Sequence, residues 1–173
     1  ALTRHIRSRG TVKGIISSLD LEPESLVEKA IASPGVMGRD LVKEVTCSAP
    51  YQWEEGTEEL WLPEGERCAS HERFQVVVCD FGVKYSILRR LRDVGCRVTV
   101  VPADTPASEV LSLDPDGVLL SNGPGDPQPL TYAVEEAREL LGQKPIFGIC
   151  LGHQILAMAL GGTIFKMKFG HHG

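Results

Sequence analysis

The chain has 173 residues, of which 42 % are hydrophobic, and carries a formal net charge of −5. That apolar content is enough for a packed core, which excludes a disordered chain, and no apolar run reaches the ~18 residues that span a bilayer. The acidic balance argues against a general nucleic-acid surface. Five cysteines, an odd number at irregular positions, do not suggest a disulfide framework. No C-x-x-C pair suggests zinc, and a reducing cytoplasm is the expected compartment.

Residues 1 to about 70 form one compositional region. Leu2–Arg9 reads as a short basic helix closed by Gly10, and Val12–Ser17 as a core strand. Ala1 to Leu19 contains no acidic residue, a bias loosely similar to organelle-targeting segments, but an ordinary helix and strand is the preferred reading. Helical spacing over Pro23–Ala32 stops before Ser33-Pro34-Gly35, and Asp40–Val45 reads as another short helix. Residues 54–73 hold seven acidic residues and read as a loop or linker, with Trp53 and Trp61 as packing residues.

From Phe74 the pattern changes. The apolar run Val76–Cys79 ends in Asp80-Phe81-Gly82, and an amphipathic helix follows over Lys84–Val94. Arg97–Val101 is the next strand, Ser108–Leu113 a short helix, and Gly117–Leu120 a third strand. A loop of turn residues, Ser121–Pro129, leads into a helix over Tyr132–Leu141. The strand Pro145–Ile149 then runs into Cys150. Short apolar strands alternating with helices predict an α/β fold with a doubly wound, mostly parallel sheet, preceded by a smaller α/β domain. The domains expected are 1–70, with its linker, and 74–173.

Cys150 stands where a strand hands over to a helix, between Gly148 and Gly152. This is the spacing of a nucleophile elbow, written G-x-C-x-G. A helix N-terminus favours thiolate over thiol. For an arbitrary cysteine a buried packing role is the better reading, but the flanking glycines and the strand-to-helix switch reverse it. Functional loops in such sheets gather at the carboxyl ends of strands, and Ser121–Pro129 shares that rim with Cys150. Gly123 and Gly125 suit a loop that aims backbone N–H groups at an oxyanion. A phosphate cradle is the weaker reading, because the loop has no lysine, includes Asp126 and lacks P-loop spacing.

FGICLGHQ at Phe147–Gln154 and LSNGPGDP at Leu120–Pro127 resemble the class I, or triad-type, glutamine amidotransferases. With CDFGVKYSILRRL at Cys79–Leu91, KMKFGHHG at Lys166–Gly173 and a domain in front, the chain is similar to the glutamine-hydrolysing small subunits of carbamoyl-phosphate synthase. The resemblance implies that Cys150 attacks the side-chain amide of L-glutamine and releases ammonia for carbamoyl phosphate, in pyrimidine and arginine synthesis. It implies that Leu151 and Gly125 supply oxyanion N–H groups, and that Gly123 and Gln154 contact glutamine. No metal or organic cofactor is implied in this chain. ATP and Mg²⁺ are expected on a large synthetase subunit as partner, with neither nucleic acid nor membrane involved.

The family places its general-base histidine and orienting glutamate in an H-x-E segment beyond the FGHHG motif, and this sequence has none. The chain is therefore expected to be an inactive fragment of a longer subunit. The rival readings are the amidotransferase part of another glutamine-dependent synthase, such as those for anthranilate or GMP, and a non-catalytic scaffold or regulatory subunit. His153, three residues after Cys150, is expected to point away from the sulfur. His171-His172 is read as a loop feature without a metal.

Overall fold

The computed structural model describes residues 2–10, 12–61, 69 and 71–167. Two compact units emerge. One comprises the residues up to Met37 together with those from Phe165 on, and the other is Gly38–Ile164. The larger unit begins well ahead of the boundary expected at 70–74, because residues from the supposed first domain join its sheet.

In the smaller unit the helices are α1 (Leu2–Arg9) and α2 (Pro23–Ala32). Pro23 starts α2 at a position where a missing N–H costs nothing. Asp20 accepts hydrogen bonds from the Glu22 N–H at 3.1 Å and the Ser25 hydroxyl at 2.7 Å, and it pairs with Lys29. The strand expected over Val12–Ser17 does not form; residues 12–17 are irregular, with Ile16 fully exposed. An apolar run becomes a strand only with a ladder partner, and among the described residues none pairs with it.

The larger unit is built on a five-stranded sheet. Its strands are β1 (Tyr51–Trp53), β2 (Phe74–Asp80), β3 (Cys96–Pro102), β4 (Gly117–Leu120) and β5 (Ile146–Gly148). They lie in the order β1-β3-β2-β4-β5. All neighbours are parallel except β1, which runs antiparallel along β3 with Tyr51 opposite Val100. The predicted doubly wound α/β architecture is therefore present. β1 is an addition that sequence periodicity did not suggest.

The helices α3 (Tyr85–Asp93), α4 (Ala107–Ser112), α5 (Thr131–Leu140) and α6 (Leu151–Ala159) follow β2 to β5 in turn. Successive strand residues point to opposite faces, which divides the core in two. Val77, Cys79, Val101, Val118 and Leu120 pack with α4, α5 and α6 through Val110, Ala133, Ala137, Leu140, Leu151 and Ile155. Val78, Val98, Val100 and Leu119 pack on the other face with Leu88 of α3. Full burial of a leucine such as Leu88 contributes about 1.5–3 kcal/mol. Trp53 belongs to this second cluster, its ring centroid 4.9 Å from that of Tyr85. Trp61, expected as a packing residue, is exposed instead.

The winding reverses between β2 and β4, since β3 lies on one side of β2 and β4 on the other. Ligand crevices form outside the carboxyl ends of strands at such a switch point. Three segments meet the rim there: the turn after Asp80, the loop after Leu120 and the elbow after Gly148.

Candidate active site

The elbow is built by close backbone approach. Ile149 extends the β4–β5 contact by donating its N–H to the Leu120 carbonyl at 3.0 Å. The chain then reverses at Cys150, whose φ of 52° and ψ of −107° lie outside the comfortable regions for a side-chain-bearing residue. Such a conformation costs about 1–3 kcal/mol and persists only where its surroundings over-determine it. Two glycines supply that constraint. A Cβ on Gly148 would lie 2.6 Å from the Gly152 carbonyl carbon, and one on Gly152 would lie 2.5 Å from the Leu120 carbonyl carbon. The Gly152 N–H is shared between the Ser121 and Ile149 carbonyls, both at 3.0 Å. Leu151 is buried in the core and pins the first turn of α6.

Cys150 caps α6 with its backbone and leaves its thiol exposed. The other thiols differ. Cys47 is pushed up to about 11, first by burial and then by the Asp80 carboxylate beside it. Burial, with Glu136 adding to it, pushes Cys79 up to about 12. Cys96 is raised mainly by burial. These three are held as inert thiols, whereas Cys150 is open to a reactant.

The loop Ser121–Pro129 lies directly beside the elbow, because β4 and β5 pair with Leu120 opposite Gly148. A Cβ on Gly123 would come 2.7 Å from the Leu151 side chain and would also strike the Phe81 carbonyl. Gly125 adopts φ +89° and faces Leu41. Asp126, buried, fixes the far side of the loop by accepting the Gly38 N–H at 2.9 Å and the Gln128 N–H at 3.0 Å. Among the described residues, the N–H groups of Leu151 and Gly125 have no backbone carbonyl partner. Gln154 sits on the first turn of α6, its N–H on the Cys150 carbonyl at 3.1 Å.

Cys150, Leu151, Gln154, Gly123 and Gly125 thus all occur on two adjoining segments of one rim. His153 is exposed on α6. Cys68, Lys168 and the FGHHG ending with His171 and His172 lie outside the described residues. Sequence reasoning did not assign a role to Asp80, Ser121 or Asn122, whose side chains hold the turn after β2. The Asp80-Phe81-Gly82 stretch at a strand end was the available signal. Among the described residues, no three His, Cys, Asp or Glu side chains are grouped to hold a metal ion. No helix among them is long and apolar enough to cross a membrane.

The chain matches the model of the glutamine amidotransferase class-I family over residues 77–173. It is 62 % identical over 175 residues to a carbamoyl phosphate synthase small chain of Syntrophotalea carbinolica, covering all of this chain and 46 % of that protein. Identity to a small chain of Rhodopirellula baltica is 54 %, over all of this chain and 46 % of the relative. Identity to a chloroplastic small chain of Oryza sativa is 49 %, over all of this chain and 38 % of the relative. The chain spans less than half the length of these curated relatives. With the family match covering the sheet from β2 onward, the loop and the elbow, the chain belongs to the class-I glutamine amidotransferase family.

Proposed function

We propose that this chain carries the nucleophile and oxyanion loop of a glutaminase that supplies ammonia for carbamoyl phosphate synthesis, feeding pyrimidine and arginine production. The carrying observation is the exposed thiol of Cys150, held at φ 52° at the head of α6 beside a glycine-rich loop. In this reading the Cys150 thiolate attacks the side-chain carbonyl carbon of L-glutamine, forming a C–S bond and a tetrahedral oxyanion. The N–H groups of Leu151 and Gly125 stabilise that oxyanion. Gly123 and Gln154 hold the substrate. The C–N bond then breaks, the nitrogen takes a proton and leaves as ammonia, and water hydrolyses the thioester to glutamate and free thiol.

The proton carrier in this scheme is a histidine oriented by glutamate. The sequence has no H-x-E segment, so the 173-residue chain by itself is proposed to turn over negligibly. Relatives named small chain support a larger synthetase subunit as partner, where ATP and Mg²⁺ would act; no cofactor is assigned to this chain. The free thiols of Cys47, Cys79, Cys96 and Cys150 suit a reducing cytoplasm.

The test is Cys150→Ser in the complete gene product with its synthetase partner. Glutamine-dependent synthesis should fall by about 10³-fold or more while ammonia-dependent synthesis persists. Undiminished glutamine hydrolysis by the variant would overturn the reading.

A further inference from the structure

The turn joining β2 to α3 has an unusual hydrogen-bond economy. Four consecutive backbone N–H groups, from Phe81 to Lys84, all end on side-chain oxygens. Phe81 donates to the Ser121 hydroxyl at 2.9 Å. Gly82 and Val83 donate to one Asp80 carboxylate oxygen at 2.9 and 2.8 Å. Lys84 donates to Asn122 Oδ1 at 3.1 Å. The Gly82 carbonyl receives Asn122 Nδ2 at 3.0 Å. Lys84, the N-cap of α3, makes no side-chain cap hydrogen bond, and its own N–H is held by Asn122 from the loop after β4.

Two of these three side chains open the loop that carries Gly123 and Gly125. Ser121 is 0 % exposed and also donates its hydroxyl to the Asn122 carbonyl at 2.8 Å. Gly82, at φ +109°, backs onto Pro124: a Cβ there would lie 3.1 Å from the proline ring. The turn and the loop are therefore interlocked, and the loop's first residues are clamped to the central strand. An asparagine suits the clamp because one planar amide presents an acceptor and a donor together. An aspartate lacks the donor and an alanine lacks both, while a serine offers donor and acceptor from one shorter-reaching oxygen in place of two separate atoms.

We propose that Asn122 is a positioning residue for the reaction. By clamping the turn after β2 it fixes the backbone of the Gly123–Gly125 segment so that the Gly125 N–H faces the oxyanion formed at Cys150. This rests on the reading of Cys150 as a glutaminase nucleophile. Donors aimed at charge that develops only in the transition state raise kcat with little effect on substrate binding. Asp80 acts on the same turn from the opposite side.

The test uses the complete gene product with its partner, comparing Asn122→Ala, Asn122→Ser and Asp80→Asn with the unmodified enzyme in glutamine hydrolysis. Each should lower kcat by roughly 10- to 100-fold with KM within about threefold. Alkylation of Cys150 by iodoacetamide should stay within about twofold, because the elbow has its own supports. The double variant Asp80→Asn/Asn122→Ala should lose little more than the worse single one, since both act through one turn. Unchanged kcat, a loss confined to KM, or unfolding of both Asn122 variants would overturn the positioning role. If the unmodified enzyme does not hydrolyse glutamine, or Cys150→Ser still does, the glutaminase reading falls and this inference with it. An active parent, a dead Cys150→Ser and fully active Asn122 variants would remove the positioning role alone.

Discussion

Cys150 differs from Cys47, Cys79 and Cys96 in exposure and backbone. Its positive φ turns the side chain out at the strand-to-helix corner, while the other three pack against the sheet. Thiolate is the reactive species, and burial holds Cys47 up to about 11 and Cys79 up to about 12. Iodoacetamide at neutral pH should therefore label Cys150 at least about 10-fold faster than these three, as read by peptide mass spectrometry of the native chain. Labelling of Cys47 should grow only as the pH rises toward 11. Equal labelling of Cys47 and Cys150 at neutral pH would contradict this. The placing of Cys150, Gly123 and Gly125 at turns on one rim was legible because glycines at strand ends mark tight turns. Ser121 and Asn122 were not, since their bonds join residues about 40 positions apart, and periodicity records only near neighbours.

At the scale of elements, the elbow depends on α6 lying closer to β4 and β5 than any side chain permits. A methyl on Gly152 enters the Leu120 carbonyl, which belongs to a buried strand and cannot rotate away. Gly152→Ala should cost about 3 kcal/mol, at the upper end for overpacking, because backbone must move. Denaturant unfolding of the variant would measure it, and a cost under about 1 kcal/mol would mean that the helix is free to slide outward. Strands β2 to β5 were readable as apolar runs between turn residues, within a residue or two of their observed ends. The three-residue β1 carries too little alternation to be seen, since Tyr51-Gln52-Trp53 is fixed by pairing with β3. Val12–Ser17 failed in the opposite sense. It has the composition of a strand without a described partner, and composition alone satisfies no backbone group.

Across the larger unit, sheet order ranks the strands by protection. β2 is hydrogen-bonded on both edges, to β3 along its whole length and to β4 over four residue pairs. Its Val77 and Val78 are completely buried, one in each core cluster. β5 has three residues and, among the described residues, a partner only in β4, with Phe147 67 % exposed on the face of α3. Together with Leu119, Ile149, Ile87 and Leu91, Phe147 lines a shallow apolar groove. Cys150 is thus carried at the end of a strand paired on one side among the described residues, while the Ser121–Pro129 loop is tied to the centre of the sheet. Local opening follows buried contacts and paired edges, so the two halves of the site should differ in stability. Native-state hydrogen exchange should find the amides of β2 and of β3 and β4 beside it slowest, with those of β5 at least about 10-fold faster. The Ile149 and Gly152 amides, which tie the elbow to Leu120 and Ser121, should exchange at an intermediate rate. If they instead follow β5, the elbow opens with its strand and the clamp stops at the loop. If they match β2, loop and elbow behave as one rigid body, and substitutions at Asn122 should then disturb Cys150 as well.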